Sequence, residues 1–195
     1  MKTGDLDILI LPGLGGGTEN HWYHRWNGKL KTARIVEQSD WHKPDKDRWV
    51  ETIVSAAKST DRPVFIIAHG LGAIALAHAA DQLSEANVVG AFLVAVPDLA
   101  SAEHLIPEAS QFQPLPNAPL PFPSLMVASR NDPYCISTMT VAMAPGRRAS
   151  WHCQNSSTGF SSLGNFGKQR RCAACNDAGI HIQRKHAVTH RPGQL

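Results

Sequence analysis

The sequence contains no apolar run approaching the roughly 20 residues that cross a bilayer, so a membrane-embedded protein is not expected. It also has no cysteine before Cys135. A disulfide scaffold would staple a small, loop-rich core, whereas the four cysteines here all stand in the last third of the chain, which argues against such a scaffold. Because residues 1–7 lack the pattern of a cleavable signal peptide, we expect a cytoplasmic location.

The net charge of the chain is also small. It is +3 at pH 7, which is too little to indicate a nucleic-acid-binding surface, and we expect neither a nucleic-acid nor a membrane partner. With 43% hydrophobic and 18% charged residues in a chain of 195, the composition is that of a globular protein with one full core. Much of the basic excess lies near the C-terminus, in Arg147, Arg148, Lys168, Arg170, Arg171, Arg184, Lys185 and Arg191.

Short apolar segments alternate with helical patterns along the first 129 residues. Strands are predicted at 6–11, 33–38, 64–67, 88–96 and 124–129, and helices near 44–57 and 73–83. Residues 107–123 are dense in proline and are predicted to form a connecting loop. Buried strands that alternate with amphipathic helices favour a doubly wound α/β fold, with a mainly parallel sheet covered by helices on both faces.

A glycine-rich loop, residues 12–17, follows the first predicted strand. In α/β sheets such a loop often brings backbone N–H groups to a ligand, but a plain tight turn has the same composition. The loop alone leaves both interpretations open.

The segment from Pro63 to Ala77 passes from an apolar strand through a small, glycine-rich turn into an alanine-rich helix. This is the order of elements that the G-x-S-x-G nucleophile elbow of hydrolases requires. Glycine stands at the nucleophile position, Gly70, where it provides no side-chain oxygen.

Several separate motifs occur in a characteristic order between residues 5 and 136. They are Leu11-Pro12-Gly13-Leu14-Gly15-Gly16, His21-Trp22, Val36-Glu37-Gln38 with Asp40-Trp41, Ala68-His69-x-Leu71-Gly72, residues 119–125 and residues 128–135. On these motifs the chain resembles the small α/β-hydrolases of the YdeN and retinoblastoma-binding-protein-nine family. The resemblance implies a compact serine-hydrolase fold with little or no lid and no metal or organic cofactor. It also implies an ester, amide or related acyl bond as the substrate.

The resemblance also assigns site residues. The nucleophilic serine of the family falls on Gly70 and its catalytic acid on Asp132. The oxyanion donors fall on the backbone N–H of Leu71 and on one N–H of the glycine loop, at Gly13 or Leu14. The family's catalytic histidine lies in a Gly-His pair beyond the acid, and no such pair follows Asp132, so the histidine stays unassigned.

Two of these positions have alternative interpretations. His69, beside the elbow, is a candidate replacement nucleophile or base, although packing and hydrogen bonding beneath the turn is the favoured role. Asp132 is a candidate for an Asx turn before Pro133, although its motif favours descent from a catalytic acid.

The C-terminal quarter departs from the family. We predict a hydrolase core over 1–136 and a divergent, poorly structured tail over 137–195, without the closing strand, histidine loop and helix of the family. The strand at 124–129 would then be an exposed sheet edge. A shifted reading frame after Cys135 and a genuine divergent tail both account for this pattern.

The tail also brings together residue types that bind zinc, namely Cys172, Cys175, His181 and His186. Five residues separate Cys175 from His181, whereas zinc fingers place about twelve or more between the two pairs. A chance cluster is the favoured interpretation, and no metal is expected.

Without a nucleophile or an assigned histidine, little or no turnover is expected. Three origins of Gly70 stay open: a truly non-catalytic relative, a single substitution of the serine, or a rearranged site that uses another group. Two functions follow. The chain is either a catalytically impaired, esterase-like serine hydrolase, or a non-catalytic module that binds an acyl ligand or a partner protein.

Overall fold

The computed structural model describes residues 2–100, 102–116, 118–129, 132–134 and 150–154. The strands and α-helices among them are β1 (Asp7–Leu11), α1 (Trp22–Lys29), β2 (Ala33–Ile35), α2 (Lys46–Lys58), β3 (Val64–His69), α3 (Leu71–Ala79), β4 (Val88–Val94), β5 (Ser124–Ser129) and β6 (Ser150–Gln154). Short 3₁₀ helices occupy Thr3–Asp5, Ala80–Leu83 and Pro107–Phe112. In this part of the chain no helix is long and apolar enough to span a bilayer.

The described strands form one sheet in the order β2-β1-β3-β4-β5-β6, and every neighbouring pair is parallel. The predicted parallel α/β sheet is thereby confirmed. This order brings the carboxyl ends of β3, β4 and β5 next to one another. In open α/β sheets, that edge is where ligands bind.

Helices cover both faces of the sheet, as the doubly wound prediction requires. Successive residues of a strand point to opposite faces, and β1 shows the alternation directly. Leu9 and Leu11 belong to the main core, which is formed with α2 and α3. Ile8 and Ile10 belong to a second cluster, which Tyr23 of α1 completes.

The sequences of α2 and α3, the two helices on the main-core face, explain where they begin and which side chains they bury. α2 begins where the Asp45 carboxylate accepts a hydrogen bond from the Arg48 backbone N–H (2.9 Å), and its apolar positions bury Trp49 and Ile53 completely. α3 is apolar on almost every side, which is typical of a fully enclosed helix. Most of its side chains are accordingly buried in the main core.

Several element boundaries differ from the predictions. β2 ends at Ile35, although Val36 N still donates to Ile10 O (2.9 Å) before the chain leaves the sheet. The predicted helix over 73–83 begins at Leu71 and continues as a 3₁₀ turn after Ala79. The proline-dense loop contains the 3₁₀ helix Pro107–Phe112, because proline is tolerated in a first helical turn.

Strand β6 corrects a further expectation. It pairs with β5 over its whole length, from Leu125 with Ser150 to Ser129 with Gln154, so the prediction that no strand follows β5 is wrong. β5 is consequently not an edge of the described sheet. The remaining residues of the predicted tail over 137–195 lie outside the described part of the chain, and the boundary at 136 stays a prediction.

Candidate functional site

The turn between β3 and α3 has the backbone geometry of a nucleophile elbow. Gly70 is its corner, with φ +54° and ψ −126°. Its N–H donates to Val94 O at the end of β4 (3.0 Å), and its carbonyl accepts from Ala73 N in the first turn of α3 (3.1 Å). A positive φ favours glycine, whereas hydrolases of this architecture hold a serine here in a strained conformation.

The room for a side chain differs between the two glycines of the elbow, Gly70 and Gly72. Among the described residues, a Cβ atom at position 70 would meet only Gly13 Cα, at 3.6 Å, which is ordinary van der Waals contact. A Cβ atom at Gly72 would collide with Pro12 O and lie 2.5 Å from Leu11 O. Position 70 can therefore hold a serine side chain sterically, while position 72 requires glycine so that α3 can approach β1.

The predicted oxyanion residues lie against each other. A Cβ atom on Gly13 would be 3.3 Å from Leu71 N and 3.1 Å from His69 O, so the glycine loop touches the elbow. Leu71 is the first residue of α3, where backbone N–H groups have no acceptor within the helix. Leu14, the alternative loop donor, packs its side chain against the main core.

The glycine loop is held in place from two directions. Gly15 N donates to Trp41 O (2.8 Å), and the His24 ring hydrogen-bonds through Nε2 to Gly16 O (2.9 Å). Positive φ angles of +78° at Gly15 and +66° at Gly16 are conformations that glycine adopts without strain. The loop is thus a built structure that presents its backbone beside Gly70.

His69 lies in an aromatic cluster beneath the elbow. Its ring centre is 4.9 Å from that of His21, 5.5 Å from Tyr23 and 6.0 Å from Trp22. The favoured packing role is therefore visible in these contacts. The predicted hydrogen bonding is not seen at Nδ1, because among the described residues the buried Nδ1 atoms of His69 and His21 have no partner.

Burial lowers the pKa values of His69 and His21. Desolvation, and secondarily the neighbouring His21, lower the pKa of His69 from 6.5 to about 4. Burial, with a smaller contribution from His24, also lowers the pKa of His21. His69 is therefore a neutral imidazole at pH 7.

Asp132 forms the Asx turn that was the alternative to its catalytic role. Its Oδ1 accepts a hydrogen bond from Tyr134 N (2.9 Å), and Asp98 N donates to Tyr134 O (2.8 Å). This ties the segment that follows β5 to the loop that follows β4. Asp132 hence lies after the carboxyl end of β5, and its descent from a catalytic acid stays a prediction.

A cavity of about 400 Å³ opens beside the elbow at the carboxyl ends of β3, β4 and β5. It is lined by Asn20, His21, Trp22, Arg25, His69, Val94, Ala95, Val127, Ala128 and Ser129. Its volume falls in the range of about 300–1,000 Å³ that small-molecule sites occupy. The sequence predictions missed Arg25 and Ala95, although the position of Ala95 at the end of an apolar strand is a usable signal.

Ala95 also has unusual backbone geometry. Its φ of +51° is in the left-handed region, which non-glycine residues seldom adopt, and its N–H donates to Val127 O (2.9 Å). Two adjacent strand ends therefore turn with positive φ, at Ala95, which lines the cavity, and at Gly70, which directly follows the lining residue His69. Strained backbone of this kind concentrates at functional sites.

No metal centre is formed by the residues that the structure describes, since no three His, Cys, Asp or Glu side chains among them converge. The weak zinc candidate, Cys172, Cys175, His181 and His186, lies outside these residues.

Comparison with known proteins agrees with this architecture. The family model described as "Serine hydrolase" matches residues 8–158. Among solved structures, a YdeN-like hydrolase from Pectobacterium atrosepticum superposes with a TM-score of 0.66 and 26% identity, covering 78% of each chain. The ydeN gene product of Bacillus subtilis gives a TM-score of 0.63 at 18% identity, covering 76% of this chain and 84% of its own.

A more distant neighbour shares the fold alone. The RedJ thioesterase of the prodiginine pathway of Streptomyces coelicolor gives a TM-score of 0.56 at 16% identity, covering 77% of this chain and 81% of its own. No curated protein matches the chain by sequence. The family model nevertheless spans more than half of the chain, from β1 to beyond β6. The chain therefore belongs to the serine hydrolase family.

Proposed function

We propose that this member of the serine hydrolase family binds a small acyl or ester ligand and does not hydrolyse it through an acyl-enzyme. The observation that carries the proposal is Gly70 at the corner of the elbow, with a positive φ and no side chain. An acyl-enzyme needs a nucleophilic oxygen at this point. In the best-studied serine hydrolase, removal of the nucleophile lowers kcat by about a millionfold.

Binding does not depend on the missing oxygen. The donors assigned to the oxyanion hole are the backbone N–H of Leu71 and one N–H of the glycine loop at Gly13 or Leu14. The close packing of Gly13 on Leu71 and His69 supports this assignment. Such preorganised N–H groups still donate to a carbonyl oxygen when the nucleophile is absent, although they then stabilise no covalent intermediate.

The class of ligand follows from the cavity and from the family. The lining of the cavity beside the elbow combines apolar side chains, among them Val94, Ala95 and Val127, with polar side chains such as Asn20, His21 and Ser129. An apolar pocket with a few directed polar groups is the usual form of a small-molecule site. The hydrolases and the thioesterase that share this fold support an ester, thioester or related acyl group as the part that reaches the elbow.

The remaining triad positions agree with the absence of turnover. We assign Asp132 as the former catalytic acid, whose carboxylate now accepts from Tyr134 N in an Asx turn. No Gly-His pair follows it in the sequence, and His69 is a weak base because its pKa lies near 4. A protein partner and a cytoplasmic location stay predictions from the sequence.

The test compares the natural protein with Gly70→Ser and Gly70→Ala. Hydrolysis of p-nitrophenyl butyrate and labelling by a fluorophosphonate probe are measured for all three, together with binding of methyl butyrate by calorimetry. The natural protein is expected to bind the ester, to show no turnover above the Gly70→Ala control, and to remain unlabelled.

Gly70→Ser supplies the oxygen without a steric clash against the described residues, of which a Cβ atom there meets only Gly13 Cα, at 3.6 Å. Turnover in this variant is expected only if a histidine reaches the new hydroxyl, so the result also reports whether the chain retains one. Labelling or enzymatic turnover by the natural protein would refute the proposal, and so would failure to bind the ester.

A further inference from the structure

Arg25 differs from the arginines that the fold uses structurally. Arg34 donates to Ala56 O (2.7 Å) and Ser59 Oγ (2.9 Å), and Arg62 pairs with Asp7 (3.3 Å). Arg25 lies in the first turn of α1, is exposed, and lines the cavity. Within the described part of the chain its guanidinium makes no ion pair and no hydrogen bond. The lining of the cavity thus includes an arginine whose guanidinium has no partner among the described residues.

The other lining residues leave this charge uncompensated. None of the ten described residues around the cavity is an aspartate or glutamate. The two lining imidazoles, His21 and His69, have lowered pKa values because of burial, so they add hydrogen-bonding groups and little positive charge at pH 7. In sequence, residues 135–195 contain a single acidic residue, Asp177. Arg25 is the one described lining side chain with a permanent charge.

Resting on the proposed function, we infer that the ligand carries a carboxylate at the end remote from its acyl carbonyl, and that Arg25 binds this carboxylate. A guanidinium presents two parallel N–H donors in the geometry that a carboxylate accepts. His69, next to the elbow, and Arg25 line the same cavity, so one small molecule can contact both. The apolar lining residues of β4 and β5, Val94, Val127 and Ala128, suit the methylene chain that joins the two ends.

Arg25 in this role is a specificity-determining residue. It selects among ligands by charge and takes no part in any reaction at the elbow. Its removal should therefore reduce the affinity for anionic ligands and leave the affinity for neutral ones unchanged.

The experiment uses the monomethyl esters of succinic, glutaric and adipic acids, each compared with its neutral dimethyl ester. Binding is measured by calorimetry at pH 7 and low salt for the natural protein, Arg25→Gln and Arg48→Gln. Arg48 is a matched control, since it is also exposed, lies on α2, lines none of the described cavities and has no described ion pair.

For the natural protein and Arg48→Gln, we expect one monoester to bind about fivefold to tenfold more tightly than its diester, the preference of a partly exposed charged hydrogen bond. Arg25→Gln should bind both compounds with the affinity of the diester. Equal affinities in the natural protein, a preference that survives in Arg25→Gln, or no binding of any monoester would overturn the assignment.

The outcomes separate this inference from the proposed function. If the diester binds equally to the natural protein and to Arg25→Gln, and the monoester is not preferred, the proposed acyl site is supported and the proposed role of Arg25 is refuted. Hydrolysis of the esters by the natural protein refutes the non-catalytic proposal, while a KM preference for monoesters that disappears in Arg25→Gln still supports the role of Arg25.

Discussion

Adding one methyl group to each of three glycines tests the description of the elbow quantitatively. The variants are Gly28→Ala, Gly70→Ala and Gly72→Ala. A Cβ atom at Gly28, near the end of α1, meets no described residue within 4 Å. At Gly70 it has room but must adopt φ +54°, and at Gly72 it lies 2.5 Å from Leu11 O, below the 3.0 Å that real Cβ atoms respect. The three sites thus isolate helix propensity, backbone strain and steric overlap.

The expected changes in the free energy of unfolding differ in sign and size. Gly28→Ala should stabilise the protein by about 0.5–1 kcal/mol, the helix-propensity difference. Gly70→Ala introduces strain of about 1–3 kcal/mol, partly offset by about 0.5–1 kcal/mol of entropy lost from the unfolded chain. Gly72→Ala should cost about 3 kcal/mol or more, because the overlapping oxygens belong to the backbone at the end of β1, a strand paired on both sides, and cannot rotate away.

Urea unfolding followed by tryptophan fluorescence measures all three. The midpoints should decrease in the order Gly28→Ala, natural protein, Gly70→Ala, Gly72→Ala, with similar slopes. A Gly72→Ala protein that unfolds at the natural midpoint would show that α3 and β1 do not approach as described. A Gly70→Ala variant as stable as Gly28→Ala would show that a non-glycine residue at position 70 is not strained.

Two further predictions concern stability. The pKa of His69 is 6.5 in the unfolded chain and about 4 in the folded chain, so the unfolded chain binds the proton first as the pH is lowered. The free energy of unfolding therefore decreases as the pH is lowered through this interval. Between pH 7.5 and pH 5 the free energy of unfolding, measured with urea, should decrease by roughly 2 kcal/mol because of His69. His69→Phe should remove this decrease, and His42→Gln, a control at an exposed histidine, should retain it. Equal acid sensitivity in His69→Phe and the natural protein would contradict the burial argument. Asp45→Ala removes the cap of α2 and should lower the unfolding free energy by about 1 kcal/mol, while the exposed Asp47→Ala should cost less; the reverse order would contradict the cap.

The sequence predicted those elements whose own pattern determines their structure. β1, β3, β4 and β5 are continuous apolar runs because parallel strands are covered on both faces, and α2 has apolar residues at helical spacing. The elbow was predictable for a similar reason, since a strand, a small turn and a helix adjoin in the chain. Its glycine geometry at position 70 follows directly from that order.

What the sequence did not predict depends on long-range pairing. β6 has no regular apolar alternation, and it is a strand because its backbone pairs with β5. Arg25 precedes the nearest residue of β4 by more than sixty positions and becomes a cavity residue only when the sheet order brings α1 beside the ends of β4 and β5. Neither relation is written in a local pattern.

The separation of backbone from side chain explains how the elbow of a serine hydrolase fold can form with glycine at its corner. The elbow is maintained by main-chain interactions, namely Gly70 N with Val94 O, Ala73 N with Gly70 O, and the approach of Gly72 to Leu11. None of these interactions needs a side chain at position 70. A serine there would bear the strain of a positive φ, which glycine relieves by about 1–3 kcal/mol. Glycine at this position therefore stabilises the turn and offers no side-chain oxygen, so a folded elbow and a cavity beside it are not by themselves evidence of hydrolysis.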